Sequence, residues 1–398
     1  MDDLLIRNVL LDGKRVNVAI AGNRFRSLSA PADTPAREVI DADGLAILPP
    51  FYNTHTHAAM SLLRGYADDM PLQQWLQDYI WPYEDKLTPD DIRRGSELAV
   101  REMIKGGTVF FSDMYFDIEE TIEVVQRYGM RAAIGVTFVE AHSKSQQADK
   151  LNMLRHWVDP TGGRITLTVA PHAIYTVGPD LLVRCAETAR DLRMKLHIHI
   201  SETRKEVDDC IREQGTTPVR YLDRLGVLGP DVIAAHLVHV DEEEAAILAE
   251  RGVTVSHCPC SNMKLASGVF PYELLRKAGC RITLGTDGDS SNNNLDMREE
   301  MKFAALMAKV SSGDPLTMPA GEALAIATRN GAEAFGIDAG VIAEGKLADA
   351  ILVDLADERM TPCHHLVSNW VYAAGSSCVD TVICDGRILM RNRNLLEA

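Results

Sequence analysis

The sequence predicts an α/β chain whose centre is a (β/α)8 barrel between two β-rich ends. Three observations predict it. From about residue 50 to 337, apolar strand-like runs alternate with longer amphipathic stretches; the flanks carry short alternating strands; and histidines stand at the ends of the central runs. In the first flank, residues 4–29 read as short strands about the turns Asp12-Gly13 and Ala21-Gly22-Asn23. In the last, Ala348 to Val353 reads as a strand, and 379–390 as a hairpin about Asp385-Gly386. The central strands are expected at 46–54, 108–112, 132–138, 165–170, 195–199, 232–236, 253–257 and 281–286. Amphipathic helices such as 90–105, 179–192 and 241–250 lie between them, and a last helix covers 319–335. Eight strand–helix units over roughly 290 residues have the sequence shape of a barrel. A doubly wound open sheet would normally carry a ligand-binding fingerprint at its switch point, and no G-x-G-x-x-G or phosphate-binding loop is present.

Composition narrows the function. The 398 residues are 46% hydrophobic and 25% charged, ordinary for a globular chain, and the formal net charge is −16. Such a surface repels phosphate backbones and anionic lipid, and no Lys/Arg cluster marks a basic groove, so neither nucleic acid nor membrane is expected as a partner. No apolar run approaches the roughly 18 residues of a membrane helix. The opening Met1-Asp2-Asp3 is unlike a signal peptide, so a cytoplasmic location is expected. The 8 cysteines form no regular framework, and Cys258-Pro259-Cys260 reads as buried thiols. Zinc cytidine-type deaminases need H-x-E and P-C-x-x-C; neither pattern occurs, and no G-x-S-x-G elbow supports a serine nucleophile.

The chemistry gathers at the strand ends. His55 and His57 end the first strand, His172 follows the fourth, and His197 and His199 end the fifth; His236, His257 and Asp287 end the sixth, seventh and eighth. A barrel opens every C-terminal strand end onto one mouth, so these distant residues converge. In a strand, His55 and His57 point the same way. With His199 and Asp287 they offer three imidazoles and a carboxylate, a set that suits one zinc ion, or iron as the second choice, with a position left for water. Satisfied interior histidines alone would leave Asp287 buried without a counter-charge. A bound divalent ion lowers the pKa of its water to about 7. Glu202, three residues past His199, stands at the rim as the proton shuttle, His236 as the group that holds the nucleophile, and His172 as a ring contact. His197 reads as packing with a hydrogen-bond partner, His257 as support or core, and His142, His156, His239, His364 and His365 as surface or structural.

The motifs Asn53-Thr54-His55-Thr56-His57, Leu284-Gly285-Thr286-Asp287-Gly288 and Gly345-Lys346-Leu347-Ala348-Asp349 carry a resemblance. Over essentially its whole length the chain resembles the amidohydrolase superfamily, in its branch of metal-dependent aminohydrolases. That resemblance implies a TIM-like catalytic barrel over 50–340, and a small β-sandwich built from 1–49 and 341–398. It also allows a homo-oligomer. The stretches Ala58 to Gly65, Ala67-Asp68-Asp69, Trp75-Leu76, Ile80 to Glu84 and Ser291-Asn292-Asn293 are similar to 5′-methylthioadenosine/S-adenosylhomocysteine deaminases. The similarity implies that Glu84 binds the ribose hydroxyls, that Glu202 and His172 contact the purine, and that His236 assists the attacking water. Hydroxide would add to C6 of the adenine, Glu202 and Asp287 would move protons, and ammonia would leave. A carboxylate acceptor at Glu84 suits a cis-diol, and Trp75 or Trp81 could wall the ring. No lysine follows the fourth strand to bridge a second metal, so one ion is expected. The loop 138–149 carries Lys144 but no arginine, so a neutral 5′-substituent is at least as well suited as a carboxylated one. The alternative reading is an aminohydrolase of a guanine, pterin or triazine type of heterocycle.

Overall fold

Two consecutive prolines divide the first expected strand. Pro49 and Pro50 each lack a backbone N–H, so no ladder runs through them. The single strand expected over 46–54 is therefore two. Leu45–Leu48 pairs antiparallel with Ala350–Asp354, whereas Phe51–Thr56 pairs parallel with Thr108–Tyr115. These prolines stand between two sheets.

The computed structural model describes residues 1–396, so the last two positions of the expected 341–398 segment lie outside the described residues. One sheet is a parallel barrel of eight strands in sequence order. They are β1 (Phe51–Thr56), β2 (Thr108–Tyr115), β3 (Arg131–Phe138), β4 (Ile165–Pro171), β5 (Lys195–Ile200), β6 (Val232–His236), β7 (Thr254–His257) and β8 (Arg281–Leu284). Helices cover the outer face and side chains fill the inside, so the strands are buried on both faces and read as continuous apolar runs. The barrel closes between β1 and β8: Asp287 N–H donates to His55 O at 3.0 Å, and Thr54 Oγ1 donates to Leu284 O at 2.9 Å. Gly285 permits that approach, because a Cβ there would stand 2.8 Å from both His55 Cβ and His55 O. β8 stops at Leu284, short of the expected 286, because Asp287 turns into the left-handed region at φ 59°.

The second sheet has nine strands of mixed direction drawn from both chain ends. Its hairpins turn at Asp12-Gly13 (φ 47° and 77°) and Asp385-Gly386 (φ 54° and 75°), the paired positive φ that a tight two-residue turn demands. Leu4, Ile6, Val18 and Ile20 from one end pack with Leu352 and Ile383 from the other. A buried polar rivet ties this sheet to the floor of the barrel. Arg131 pairs with Asp349 at 3.1 Å and Asp385 at 2.6 Å, and Tyr52 Oη donates to Asp349 at 2.7 Å.

The helices follow their caps. Pro89–Gly106 starts from a Thr88–Asp91 capping box and ends at left-handed Gly107, close to the expected 90–105; Pro179–Leu192 and Glu242–Arg251 also lie where expected. The helix expected over 319–335 breaks in two at Thr328, whose hydroxyl donates back to Leu324 O at 2.7 Å while its backbone leaves the helical region. Between β1 and the Pro89 helix, residues 58–87 form a helical insert over the mouth. In it, Leu76–Ile80 is a wide π turn that ends one residue short of Pro82, a residue that cannot donate into an ordinary helical ladder. Among the described residues, no helix is long and apolar enough to cross a membrane.

Candidate active site

Each imidazole at the mouth is fixed through one nitrogen, and that fixes what the other can do. His57 Nδ1–H donates to Met114 O at 2.6 Å, and His199 Nδ1–H donates to His172 O at 2.7 Å. The Nε2 of each therefore carries a lone pair when the ring is neutral. His55 Nδ1 meets His197 Nε2 at 2.8 Å, and His197 Nδ1 meets Ser112 Oγ at 3.2 Å. A proton on each Nδ1 satisfies this chain and turns His55 Nε2 inward as well. His197, expected as packing with a partner, is thus the residue that orients His55.

The three Nε2 atoms converge. His57 and His199 Nε2 are 3.4 Å apart, and Asp287 Oδ1 lies 3.1 Å from His57 Nε2 and 3.4 Å from His55 Nε2. His55, His57 and His199 have ligand atoms within 4.8 Å of one another, and so do His55, His236 and Asp287. His236 therefore joins the four expected metal ligands as a further candidate. His55 Nε2 is buried without a hydrogen-bond partner. Burial holds the His55 pKa down near 4; at His57, Asp287 outweighs burial and lifts it to about 9. The raised pKa means that His57 holds a proton against Asp287 when nothing else balances that charge; a divalent ion of the zinc type would take the proton's place, and the donor set fits it.

Asp287 is held from its other side. Ser261 Oγ and Ser291 Oγ donate to Oδ2 at 2.6 and 3.0 Å, leaving Oδ1 toward the histidines. Although burial works against it, His55 and His57 keep this carboxyl well below the usual range. Glu202 behaves in the opposite sense: burial raises its pKa. Its Oε2 is 3.9 Å from His236 Nε2, and Ser267 Oγ stands 3.5 Å from Oε1. His236 Nδ1 donates to Asn262 Oδ1 at 2.9 Å, so its Nε2 also faces the site with a lone pair. Ser201 (51°), His236 (73°) with its neighbour Leu237 (48°), and Asp287 (59°) adopt positive φ here. Such strain gathers where side-chain direction matters more than backbone comfort.

A cavity of about 700 Å³ opens above this cluster. Its lining brings together His57, His199, Glu202, His236 and Asp287 with Glu84, His172, Trp75 and Trp81; His55 lies beneath, fully buried. Thr176 Oγ1 donates to Ala173 O at 3.2 Å and so accepts from His172 Nδ1–H at 2.9 Å, leaving His172 Nε2 as an acceptor. Burial keeps that ring neutral, with a pKa pushed down to about 3. Burial pushes the Glu84 carboxyl up to about 7, against the neighbouring Tyr115 hydroxyl, which favours the ionised form. Trp75 is buried and donates to Ala67 O at 3.1 Å, whereas Trp81 stays partly exposed.

Several contributing residues were not singled out in the sequence. Glu206 accepts from Ser201 N–H at 2.9 Å and Glu202 N–H at 2.8 Å, and so sets the turn that carries Glu202. Thr203-x-x-Glu206 reads as a capping box, but the Glu206 side chain reaches past Thr203 into the loop. Asp113 Oδ1 accepts from Ala58 N–H at 2.7 Å and anchors the start of the insert. His142, read as surface or structural, lines the cavity rim. His257 stacks on Phe270 at 3.9 Å and belongs to the support, and Cys258 and Cys260 are free thiols.

The model of the amidohydrolase family matches residues 46–389. A 5-methylthioadenosine/S-adenosylhomocysteine deaminase of Pelotomaculum thermopropionicum is 47% identical over 387 residues, 96% of this chain and 89% of that protein. A 5′-deoxyadenosine deaminase of Methanothermobacter thermautotrophicus is 44% identical over 389 residues, 96% and 91% of the two chains. In the crystal structure of a Xanthomonas campestris adenosine deaminase with bound zinc, 36% of residues are identical and the TM-score is 0.94, covering 99% of this chain and 94% of that one.

Proposed function

The chain belongs to the amidohydrolase family, and from that premise we propose that it is a metal-dependent hydrolytic deaminase of adenosine-type nucleosides, with one zinc ion as cofactor. The observation that carries the reading is the meeting of three imidazole Nε2 atoms and Asp287 Oδ1 at the floor of a cavity that also holds Glu202 and Glu84. His55, His57, His199 and Asp287 would hold the ion, which supplies Lewis acidity to the attacking water.

The chain's own groups then divide the proton work. Two carboxyls pushed in opposite directions take opposite roles. Glu202, whose protonated form burial favours, gives a proton to ring N1 as the water oxygen bonds to C6. Asp287, kept ionised, takes a proton from that water and passes it to the exocyclic amine. The C6–N bond breaks, ammonia leaves, and the remaining hydroxyl proton returns to Glu202, which leaves the 6-oxo product. His236 Nε2 steadies the nucleophile, His172 Nε2 accepts from the exocyclic amine of the purine, and Trp75 and Trp81 exclude water along the ring's face. Glu84, as a carboxylate, accepts from the two ribose hydroxyls, and this favours a nucleoside over a free guanine, pterin or triazine base.

Ammonia release by the zinc-loaded protein tests the reading, with adenosine, 5′-deoxyadenosine, methylthioadenosine, adenine and guanine as the panel. Turnover of the nucleosides supports it. Turnover of free bases alone would discard the nucleoside assignment while keeping the metal chemistry.

A further inference from the structure

The two hydroxyls that hold Asp287 from behind are themselves held by a residue that no step of the chemistry touches. Glu300 stands in the first turn of the helix Met297–Ser312, fully buried and outside the residues that line the cavity. Its Oε2 accepts from Cys260 N–H at 3.0 Å, and its Oε1 accepts from Asn292 Nδ2 at 2.6 Å. Each contact fixes a turn that serves the floor of the site. Cys260 lies in the first turn of the short helix Pro259–Lys264, which has no side-chain cap of its own, so Glu300 supplies from a distant segment the acceptor that a helix start needs. That helix carries Ser261, which donates to Asp287 Oδ2, and Asn262, which accepts from His236 Nδ1. Asn292 ends the helical turn Asp289–Asn292, which carries Ser291, the second donor to Oδ2. The same Asn292 Nδ2 donates to Thr286 O at 2.8 Å, one residue before Asp287.

These bonds close a ring around the carboxylate: Thr286 to Asn292, Asn292 to Glu300, Glu300 to Cys260, and from Ser261 back to Asp287. Glu300, Asn292, Ser261 and Ser291 are all buried, so bulk water does not replace a bond that is lost. Both oxygens of Glu300 face donors, and both must accept. Burial pushes the carboxyl up to about 8 against these donors, yet an amide nitrogen could serve neither of them. Asn292 cannot turn over to compensate, because its oxygen would then meet Thr286 O. Glu300→Gln therefore keeps the shape and opens one side of the ring. We propose that Glu300 is a positioning residue for the metal centre. It holds the Ser261 and Ser291 turns in register on Asp287 Oδ2, so that Oδ1 keeps its place among the imidazoles, and through Asn262 it also steadies His236. This rests on the metal-site reading and extends it to a residue that touches neither substrate nor ion.

The test is a competition titration of zinc with a chelator, with Tm and the kcat and KM for 5′-deoxyadenosine measured alongside. Glu300→Gln should weaken zinc about 10–100-fold and lower kcat at saturating zinc about tenfold. KM should stay unchanged, because Glu300 does not line the cavity. Ser261→Ala should cost less zinc affinity in that variant than in the wild type, the combined loss falling at least about threefold short of the product of the two single losses. Tyr52→Phe is the control: it removes a buried hydrogen bond to Asp349 at the opposite end of the barrel, and should lower Tm while leaving zinc affinity as it was. Wild-type zinc affinity in Glu300→Gln, losses that multiply in full, or a zinc loss that simply follows Tm in both variants would overturn the proposal. Should Glu300→Gln fail to fold, Asn292→Ala opens the ring at one side only and carries the same test with Ser261→Ala. A wild-type chain that takes up no zinc would remove the metal reading and this proposal together. Zinc bound without ammonia release would remove only the deaminase reading, and the titration would still decide this one.

Discussion

The two walls of the active-site cavity are built by different means. The floor, where the imidazoles meet, consists of strand ends whose side chains are each held by a second contact: His57 to Met114 O, His199 to His172 O, His55 to His197, Asp287 to Ser261 and Ser291. The roof consists of the 58–87 insert, with its π turn, partly exposed Trp81 and Tyr79, and a carboxyl at Glu84 that burial brings near neutrality. The contrast separates two tasks. Reaction geometry tolerates little error and sits on strand ends; on the proposed reading, recognition of the sugar would sit on the helical insert. Changes in the floor should therefore remove metal or kcat, and changes in the roof should act on KM.

The sharpest break is Asp287→Ala, expected to lose zinc and reduce ammonia release to background; metal analysis alongside the assay checks both. Next comes Glu202→Gln, which should keep its zinc and lose about 10²–10⁴-fold in kcat, since proton transfer goes while ligation stays. A near-normal rate would take Glu202 out of the reaction. Ser261→Ala sits between the walls in effect: it should weaken zinc about 10–100-fold in a competition titration with a chelator, as the loss of a ligand's support does.

The roof gives smaller, differently shaped effects. Glu84→Ala should raise KM for nucleosides by roughly 10–100-fold, with kcat changed far less, since a hydrogen bond to a charged group contributes about 1.5–3 kcal/mol. Its pH signature follows from the raised pKa. The carboxylate proposed to accept from the diol is half ionised near pH 7, gains charge above it and loses charge as the pH falls through that value. Nucleoside KM should therefore rise as pH drops from about 8 to about 6, and the Glu84→Gln variant should lack that rise. Equal effects of Glu84→Ala on adenine and adenosine would refute the ribose contact.

The same contrast explains what the sequence could reveal. All eight barrel strands were legible because burial on both faces writes each as an apolar run, and strand-end histidines mark the mouth. The exceptions have local causes: Pro49-Pro50 cut the first run between two sheets, and Thr328 broke the last helix. His55, His57, His199 and Asp287 could be grouped from spacing because a barrel forces strand ends together. Ser261, Glu206 and Asp113 could not, since a hydroxyl or acid in a loop looks the same whether it meets water or a buried carboxylate. The insert was harder still. Without the resemblance, nothing in 58–87 says that a wide turn before Pro82 carries Glu84 over the mouth.

The central claim is that one zinc ion held by the floor makes this chain a nucleoside deaminase. The most direct measurement is ammonia release from 5′-deoxyadenosine by chelator-stripped protein as zinc is added back, with bound metal determined at each point. Activity should climb linearly and level at one zinc per chain. Full activity in the stripped protein, or zinc bound without any release of ammonia from any adenosine, would contradict the account.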